Sequence, residues 1–532
     1  MVPLVVRDDG AVAAFLRAHP EIIGGKALSG SYRILNVPED TVLAVAEELG
    51  NTKPDAYSLV TGLLGREALD ASGITPIQRQ PFLGLRGRGV LLGFIDTGID
   101  YTLDTFRYED GSSRVAAVWD QTAEGNSPEG YGFGAEYGKE AINEALASPD
   151  PYATVPHRDT VGHGTFLASV AGGREDGAAP DAEIVMVKLR SSNPFYREAF
   201  LIPPGQDNAF DSADVMQGVE FILEKARELN RPVSVCLSVG TNLSGHDGFT
   251  VFEEYLSRVS HRTGVTICAA AGDEGNANHH TSGAIPRAGE VQAIELSVPQ
   301  SSGDVYLTVL NGAECRLSVS VSSPTGELVG RVPAKNGAVV SEQLIFERTK
   351  VEVYYFFPIE GSGAQLTAIK LIGATPGIWT VYAHSDAPGR FDAWLPLTGL
   401  SSSPGTRFLA PNPECTVAVP ASAAGVITCC AFDSFDRSLY AASSWGPTRL
   451  QAPCPDLAAP GVGVTGALPT GTGSMRGTSV AAAITAGACA LLLQWGVVER
   501  NEPYADTYLA RAYLIRGCDR DPGMTYPNPR WG

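Results

Sequence analysis

Basic side chains are scarce in this 532-residue chain. Its 39 Lys and Arg residues are outnumbered by 59 Asp and Glu residues, which gives a formal net charge of −20 at pH 7. Such a deficit disfavours a polyanionic partner, so we expect no nucleic-acid binding. No stretch approaches roughly 18 consecutive apolar residues, and the first residues lack a basic segment followed by a long apolar core. We therefore expect no membrane span and no secretory signal, and a protein made in the cytoplasm.

Cysteine is also used sparingly. The nine cysteines are an odd number at irregular spacing, and no Cys-x-x-Cys pair or His/Cys cluster occurs. The pattern therefore predicts reduced, buried thiols and no zinc site. No loop of Asp, Asn and Gly with calcium-ligand spacing stands out either. We predict no metal and no cofactor.

Three kinds of pattern succeed one another along the chain. Residues 1–65 combine short amphipathic helices with an alternating strand, which predicts a small αβ unit. From about residue 87, near-continuous apolar runs alternate with helical segments, as is typical of a doubly wound parallel sheet in an α/β domain. Residues 289–404 contain only short alternating segments separated by Gly, Pro, Ser and Asn, which predicts an antiparallel β-sandwich or jelly roll. Because the buried-strand pattern then resumes, we predict that this β-domain is inserted into the α/β domain and divides it into residues 66–288 and 405–532.

Three polar residues stand at element ends in the α/β pattern. Asp96 ends the apolar strand GFID, His163 opens the helix GHGTFLASV, and Ser479 opens the apolar helix that follows Gly-Thr-Ser. Strand ends and helix starts of an open α/β sheet meet at one edge, where ligands bind. A carboxylate that orients a histidine, which in turn deprotonates a serine, is the arrangement used for nucleophilic acyl transfer. Each residue alone fits an ordinary turn or helix cap, but the three together predict a catalytic triad.

Three stretches resemble the signatures of subtilisin-like serine proteases: GFIDTGID, DTVGHGTFLASVAGG and APGVGVTGALPTGTGSMRGTSVAAAITAG. The chain order Asp, His, Ser is also that of subtilisin. The resemblance covers roughly residues 66–288 and 405–532. It implies an EC 3.4.21-type serine endopeptidase with Asp96, His163 and Ser479 as the triad, and it implies that residues 1–65 are a propeptide that acts as an intramolecular chaperone and inhibitor.

A narrower resemblance is to the Csp germination proteases of spore-forming Firmicutes. It rests on the inserted β-domain, on the sequence SGITPIQRQPFLGLRGRGVLLGFIDTGIDY, on the insertion SSNPFYREAFLIPP, and on GTSVAAA in place of the more usual GTSMASP. In that family the protease is packed in the spore and cuts the pro-form of a cortex-lytic hydrolase, and the propeptide can stay bound. The resemblance therefore implies a monomeric protease that removes its own propeptide near residues 56–68 and then cuts a protein zymogen.

The subtilisin resemblance also implies a substrate groove. Its walls would be the strand segments SVG (residues 238–240) and AAAG (residues 269–272), which would flank the substrate side chain before the cleaved bond. An acidic neighbour would favour a basic or polar side chain there. These residues are Ser238, Val239, Gly240, Ala270, Ala271, Gly272 and Glu274.

Asp273 departs from the family pattern. Most subtilases have an Asn at this position, and its amide stabilises the oxyanion; in subtilisin, removal of that donor costs about 10²–10³ in kcat. An ionised Asp only accepts hydrogen bonds. A protonated Asp could donate, which requires burial or a neighbouring carboxylate such as Glu274 to raise its pKa. Other expected donors are the Ser479 backbone N–H and the Thr478 hydroxyl. One subtilase branch, a prohormone convertase, carries Asp here and remains an enzyme, so we expect a competent but slow or pH-restricted protease.

Two other interpretations remain open. The chain could be a catalytically weak or inactive regulator with the same fold, a germination sensor or binding partner as Csp pseudoproteases are thought to be. It could also be a general intracellular subtilase. The intact triad favours an enzyme, and the insertion favours a Csp-type one. We further expect that His279 and His280 have a surface or supporting role rather than holding a metal, that Asp159 braces the loop before His163, and that Trp379 belongs to the sandwich core.

Overall fold

A computed structural model describes residues 2–7, 10–28, 32–38, 40–49, 67–300, 303–359 and 361–532. The chain divides into two units, residues 1–63 and 64–532.

The first unit is a three-stranded antiparallel sheet with two helices. Its strand order is β1-β3-β2, and its elements are β1 (Val2–Arg7), α1 (Gly10–Ala18), β2 (Ile23–Leu28), β3 (Tyr32–Val37) and α2 (Val42–Glu48). The apolar periodicity predicted both helices and β3. A small core that includes Phe15, Leu35 and Val37 joins the sheet to α1.

The second unit begins with alternating helices and strands. The elements up to residue 270 are α3 (Glu67–Ala71), α4 (Ile74–Arg79), β4 (Leu91–Asp96), β5 (Val115–Asp120), β6 (Ala135–Gly138), α5 (Lys139–Ala147), α6 (Pro151–Thr154), α7 (His163–Gly172), β7 (Glu183–Lys188), α8 (Pro194–Ala199), α9 (Ser212–Glu228), β8 (Val233–Leu237), α10 (Val251–Val259) and β9 (Val265–Ala270). Every apolar run that predicted a buried strand forms one. The runs are nearly continuous because these strands are covered on both faces.

A two-sheet antiparallel sandwich is inserted after β9. Its strands are β10 (His280–Ile285), β11 (Val291–Val298), β12 (Val305–Asn311), β13 (Leu317–Ser322), β14 (Leu328–Val332), β15 (Val339–Gln343), β16 (Lys350–Phe356), β17 (Gln365–Ile372), β18 (Gly377–Ser385), β19 (Gly389–Trp394) and β20 (Arg407–Phe408). One sheet has the order β10-β19-β12-β17-β16-β15 and the other β14-β13-β18-β11-β20. Residues alternate along β18, so that Trp379, Val381 and Ala383 point into the core between the sheets.

The sandwich extends beyond the predicted bounds of 289 and 404. Strand β10 already begins at His280 and pairs with β19, and β20 ends at Phe408. The sequence HTSGAI of β10 has no clear alternation of apolar and polar residues, so its role as a strand depends on its pairing with β19 and could not be seen locally.

The chain then returns to the α/β sheet. The remaining elements are β21 (Ile427–Asp433), β22 (Leu457–Val462), β23 (Val464–Leu468), β24 (Gly471–Met475), α11 (Thr478–Leu493) and α12 (Thr507–Gly517). The eight-stranded sheet has the order β22-β21-β9-β8-β4-β7-β5-β6 and is parallel except for the edge strand β6.

Two separate cores cover the faces of this sheet. Leu92 and Phe94 of β4 face the core that contains α7 and α11, whereas Leu91 and Ile95 face the core that contains α9 and α10. Successive residues of a strand point to opposite faces, which produces this division. One stretch, Thr478–Val498, is long and apolar enough to cross a membrane by length and composition, but 78% of its apolar window is buried inside the protein. It is therefore a core helix of the fold.

The nine cysteines are all free thiols. Eight of them are buried and Cys518 is half-buried. The Sγ atoms of Cys268 and Cys489 are 3.6 Å apart, which is far longer than a disulfide bond. Burial raises the pKa of Cys236 and Cys430, among others, so these thiols stay protonated. This confirms the expectation of reduced, buried cysteines.

An aromatic stack joins the sandwich to the loop that follows β8. The Trp394 ring lies between His246, at a centroid distance of 4.4 Å, and His280, at 4.8 Å. Burial lowers the pKa of His246 to about 4, so this ring is neutral at physiological pH. Trp394 is 1% exposed, and its indole N–H donates to the Cys415 carbonyl oxygen.

Replacement of Trp394 by alanine is expected to lower the free energy of unfolding by about 3–5 kcal/mol, because it opens a cavity between two buried rings. Denaturant titration of the full chain measures the change. The exposed Phe435, at 93%, supplies the control, since Phe435→Ala should stay within about 0.5 kcal/mol of wild type. A loss below about 1 kcal/mol for Trp394→Ala would show that the stack does not hold the two parts together.

Candidate active site

Asp96 lies at the carboxyl edge of the parallel sheet. It is the last residue of β4, between β7 and β8, and is 1% exposed. Its two carboxylate oxygens accept from His163 Nδ1 at 2.8 and 2.9 Å, and Oδ2 also accepts from the Ser238 hydroxyl at 2.6 Å. Desolvation alone would raise the pKa of Asp96, but the charge and hydrogen bond of His163 outweigh it and hold the pKa below its usual value. Asp96 is therefore a buried, ionised carboxylate.

His163 begins α7 and faces Asp96 with one ring nitrogen. Because both acceptors of Nδ1 are carboxylate oxygens, the proton resides on Nδ1 and Nε2 is left as an acceptor. Desolvation lowers the pKa of His163, but the charge and hydrogen bond of Asp96 outweigh it. Asp159 and Asp273 raise the pKa further, so it lies above the usual value of 6.5. The side chain is 32% exposed, so the ring can meet a substrate while Asp96 orients it.

Asp159 braces the start of α7, as the sequence predicted. Its carboxylate accepts hydrogen bonds from the Thr97 hydroxyl, the Val161 and Gly162 backbone N–H groups, and the Thr165 backbone and hydroxyl. Gly164 allows the helix to approach the strand, because a Cβ there would lie 2.2 Å from the Gly98 carbonyl oxygen and 3.1 Å from Asp96. These contacts fix the position of His163 relative to Asp96.

Ser479 lies in the first turn of α11. The preceding Gly477 has φ 141°, and a Cβ on it would lie 2.8 Å from Asp273 Oδ2, so the turn requires glycine. Ser479 is half-buried, and no hydrogen bond joins its hydroxyl to His163 within the described residues. Hydrogen bonds of this kind are often long before substrate binds. The structure thus places the serine at a helix N-terminus, on the same edge of the sheet as Asp96 and His163.

Asp273 follows β9 at the surface of this edge. Asp273 is exposed. Its Oδ1 accepts hydrogen bonds from the Thr478 backbone N–H and hydroxyl, each at 3.0 Å. Desolvation by the surrounding protein raises the pKa of Asp273, the two Thr478 hydrogen bonds oppose the increase, and the charge of Glu274 adds to it. The net pKa is raised, as the hypothesis of a donating, protonated Asp273 requires.

The Thr478 hydroxyl is not available as an oxyanion donor, which corrects the sequence prediction. It donates to Asp273 Oδ1 and accepts from the Gly272 backbone N–H at 3.0 Å. The Ser479 backbone N–H belongs to the first turn of α11, where N–H groups have no acceptor within the helix. It remains the donor best placed for an oxyanion beside Ser479.

Ser238 does not line the substrate groove with its side chain. Its hydroxyl donates to Asp96 Oδ2, so it supports the carboxylate that orients His163. The prediction that the segment of residues 238–240 flanks the substrate stays a prediction, and the structure adds that the Ser238 hydroxyl is bonded to Asp96. The residue follows β8, and the pairing of β8 with β4 brings it beside Asp96.

The Ser238→Ala variant is expected to lower kcat/KM by about tenfold, because the Asp96 carboxylate loses one charge-assisted hydrogen bond. Ser234→Ala is a matched control on β8, the strand that precedes Ser238, since the Ser234 hydroxyl is bonded to the Ala486 carbonyl oxygen away from the site. Each variant loses one hydroxyl hydrogen bond, so thermal unfolding should respond to both and kcat/KM only to the first. Equal kcat/KM for Ser238→Ala and wild type would show that Asp96 is held without this hydroxyl.

The remaining predicted wall residues divide into two groups. Val239 is half-buried and Gly240 is exposed, and within the described residues no hydrogen bond uses their backbone groups. Ala270 and Gly272 are half-buried, but Ala271 is fully buried in the core of the sheet. The prediction that Ala271 contacts substrate is wrong, because its side chain points into that core.

Glu274 is buried and its carboxylate connects three segments by hydrogen bonds, so it does not line an open groove. It is 3% exposed. One oxygen accepts from the Thr398 backbone N–H at 2.8 Å, and the other from His279 Nδ1 at 2.6 Å and from the Asn242 side-chain amide at 3.3 Å. Its carboxylate is thus occupied, which corrects the expectation that it selects basic substrate side chains. It ties the loop after β9 to the connection between β19 and β20 of the sandwich.

His279 and His280 support this junction. His279 bonds to Glu274, and His280 is buried against Trp394, so of the expected surface or supporting role the structure shows the supporting one. No group of His, Cys, Asp or Glu suited to hold a metal ion occurs among the described residues. Trp379 is fully buried in the sandwich core, as predicted.

Comparisons with a family model and with solved structures both return matches for this chain. The family model described as "Subtilase family" matches residues 87–325 and 407–516. The solved structure of the Clostridium perfringens CspB protease is 31% identical, covers 88% of this chain and 95% of that chain, and has a TM-score of 0.77. A cold-adapted subtilisin-like serine proteinase is 15% identical with a TM-score of 0.38, covering 81% of this chain and 83% of that chain. A comparison with curated protein sequences finds no match.

An α/β sheet with an Asp–His pair and a helix-borne serine at one edge defines a subtilisin-like serine protease. The family match covers more than half of the chain, and the chain belongs to the subtilase family. Its fold is similar to that of the CspB protease over most of both chains.

Proposed function

We propose that the protein is a serine endopeptidase in which Ser479 is the nucleophile, His163 the general base and Asp96 the residue that orients His163. The observation that carries this proposal is the buried Asp96–His163 pair beside the N-terminus of α11. Both oxygens of Asp96 are engaged, so the ring has one orientation and one tautomer. That orientation leaves Nε2 available for the serine proton.

The proposed reaction has two halves. Ser479 Oγ attacks the substrate carbonyl carbon while its proton passes to His163 Nε2, and the carbonyl oxygen becomes an oxyanion. His163 then gives this proton to the leaving amine, the C–N bond breaks, and an acyl ester on Ser479 remains. A water molecule attacks the ester with His163 again as base, which releases the acid and restores Ser479. The Ser479 N–H stabilises the oxyanion in both halves, and Asp273 adds a hydrogen bond only in the molecules in which its carboxyl is protonated.

Unpaired backbone groups beside the triad give a place for an extended substrate. Val239 and Gly240 follow β8 at the edge that carries Asp96. A peptide substrate can pair with such a segment as an added strand. Half-buried Ala270 and Gly272 would border the side chain before the cleaved bond, and small residues there leave room for it.

We further propose that the chain removes residues 1–65 as a propeptide, which then stays bound as an inhibitor, and that it cuts a protein zymogen such as a spore cortex-lytic pro-enzyme. The support is the similarity to the CspB protease together with the Csp-like motifs. Most of the expected cleavage region, residues 56–68, lies outside the described residues, which resume at residue 67. The expected monomer packaged in the spore rests on the same resemblance.

A second candidate function is that of a weak or inactive regulator. The observation that favours it is Asp273, which accepts hydrogen bonds from Thr478 instead of presenting a neutral amide. Such a protein would bind a zymogen or another partner through the same groove without cutting it.

The two candidates separate in one experiment. The full chain and its Ser479→Ala variant are expressed, treated with a fluorophosphonate probe that labels activated serines, and run on a denaturing gel. An enzyme should release a fragment of about 65 residues and become labelled, and Ser479→Ala should do neither. Absence of both signals in the wild-type chain, with circular dichroism showing a folded protein, would favour the regulator.

A further inference from the structure

A large, charged cavity lies at the edge of the sheet opposite the triad. It has a volume of about 1300 Å³. Gly89, Arg114, Glu183 and Arg231 line it, and these residues precede or begin the parallel strands β4, β5, β7 and β8. Asp96 is five residues further along β4 than Leu91, so the cavity is roughly 15 Å or more from the triad. The cavity is therefore separate from the site described above.

The cavity is positively charged although the chain is strongly acidic. Seven basic and five acidic residues line it, whereas the whole chain carries a net charge of −20. The seven basic residues are Arg86, Arg88, Arg107, Arg114, Lys139, Arg174 and Arg231. Concave walls concentrate the potential of such a cluster, which favours a small anion inside it.

Two of the five carboxylates that line the cavity are each shared by two cations. Asp181 lies 3.0 Å from the Arg86 guanidinium and 3.8 Å from that of Arg88. Glu183 lies 3.1 Å from the Lys139 ammonium and 3.0 Å from the Arg231 guanidinium. With the other lining residues included, seven basic against five acidic side chains leave a net charge of +2 in the cavity.

Arg114 adds a cation that has no ion-pair partner within 4.0 Å among the described residues. It is 1% exposed. Its terminal nitrogens donate to the Thr105 and Ala182 carbonyl oxygens, at 3.2 and 2.5 Å, and its buried Nε has no hydrogen-bond partner. Burial lowers the pKa of Arg114 to about 10, so it remains charged at neutral pH. Asp181 and Glu183 act on this charge from a distance, but no carboxylate is in contact with it. A role in bridging the two carbonyls explains the terminal nitrogens but neither the missing contact partner nor Nε, and a buried charge without a partner in contact is costly.

We propose that this cavity binds a small molecule with at least two anionic groups, phosphates or carboxylates, which supply the missing counter-charge. Arginine forks recognise both kinds of group with paired hydrogen bonds. The volume suits a metabolite or nucleotide-sized ligand. A long polyanion is disfavoured because the rest of the acidic surface repels it.

Isothermal titration calorimetry on the full chain tests the proposal, with pyrophosphate and citrate as separate probes at a constant ionic strength of about 0.15 M, where weak surface attraction is screened. We expect saturable binding of one molecule per chain for at least one probe. The probe that binds with the higher affinity identifies phosphate or carboxylate as the preferred group. Failure of both probes to saturate would overturn the proposal.

Two charge reversals locate the binding. Arg88 and Arg258 are both 82% exposed and each has one weak acidic partner, at 3.8 and 3.7 Å, but only Arg88 lines the cavity. Arg88→Glu should weaken binding about tenfold or more, since it removes a charge-assisted contact, and Arg258→Glu should leave the affinity within about twofold because screening weakens a distant charge. Equal losses in the two variants, or none for Arg88→Glu, would contradict a site in this cavity. Arg114→Gln should abolish binding in a protein that circular dichroism shows to be folded; if it does not fold, the Arg88 and Arg258 pair decides.

Discussion

The Ser479→Ala and His163→Ala variants should each lose about 10⁶-fold in kcat, and the double variant should lose no more than either single one. In the proposed reaction, the serine proton passes to His163 Nε2 in the same step in which Oγ attacks the carbonyl. Removal of either group abolishes that step, so the second removal has nothing left to affect. Initial rates of the purified variants on a fluorogenic peptide measure the three losses.

Asp96→Asn is the graded control for this cycle. It keeps the geometry of the carboxylate but favours the wrong tautomer of His163, and in a serine protease with the same triad this change costs about 10⁴ in kcat. We therefore expect a smaller loss than for Ser479→Ala. A double Ser479→Ala, His163→Ala variant whose kcat is far below that of either single variant would show that the two residues act independently and would contradict the shared proton transfer.

The candidate triad could be predicted because each member is marked locally. Asp96 ends an apolar strand, and His163 and Ser479 open helices flanked by glycine, so the topology of a parallel sheet brings all three to one edge. The buried strands were equally clear, since coverage on both faces makes their apolar runs continuous. The ends of these strands and helices, and the burial of the strands, are thus determined by residues close together in the sequence.

The supporting contacts depend on residues that are far apart in sequence and could not be predicted. The Ser238–Asp96 hydrogen bond depends on the register of β8 against β4. The Glu274–Thr398 hydrogen bond depends on where the connection between β19 and β20 runs. The inward position of Ala271 follows from packing, and β10 becomes a strand only through its pairing with β19. The buried Asp120–His157 pair, with Nδ1 and Oδ2 2.7 Å apart, was missed for the same reason.

Asp273→Asn should raise kcat by about 10²–10³ at pH 8, the inverse of the loss seen when the Asn donor is removed from subtilisin. An ionised Asp273 places negative charge where the oxyanion forms and offers no proton. An amide of the same shape removes the repulsion and adds a donor.

The structure also determines how the new amide would be oriented. Asp273 Oδ1 already accepts two hydrogen bonds from Thr478, and an amide NH₂ in that position would face two donors. The Asn oxygen therefore takes the place of Oδ1, and its NH₂ takes the place of Oδ2, beside Gly477 and the serine turn. The substitution should leave the loop undisturbed, because both Thr478 hydrogen bonds are kept.

The gain should depend on pH in a defined direction. The pKa of Asp273 is raised, so its neutral, donating form increases as pH falls through that pKa, and the advantage of Asn should shrink toward pH 5. The pKa of His163 is also raised, partly by the charge of Asp273. His163 must be neutral to act as base, so wild-type activity is lost as pH falls through a pKa above 6.5. Removal of the Asp273 charge lowers the pKa of His163 and should move this acidic limb to lower pH.

Profiles of kcat/KM from pH 5 to 9 test both effects. Asp436→Asn is a suitable control, because it removes the same charge from a fully exposed carboxylate and should change neither the rate nor the acidic limb. If Asp273→Asn gains nothing at pH 8, the oxyanion is stabilised by the Ser479 N–H without the side chain at this position. If instead the gain is the same at every pH, the neutral form of Asp273 does not act as a donor, and the raised pKa has no role in catalysis.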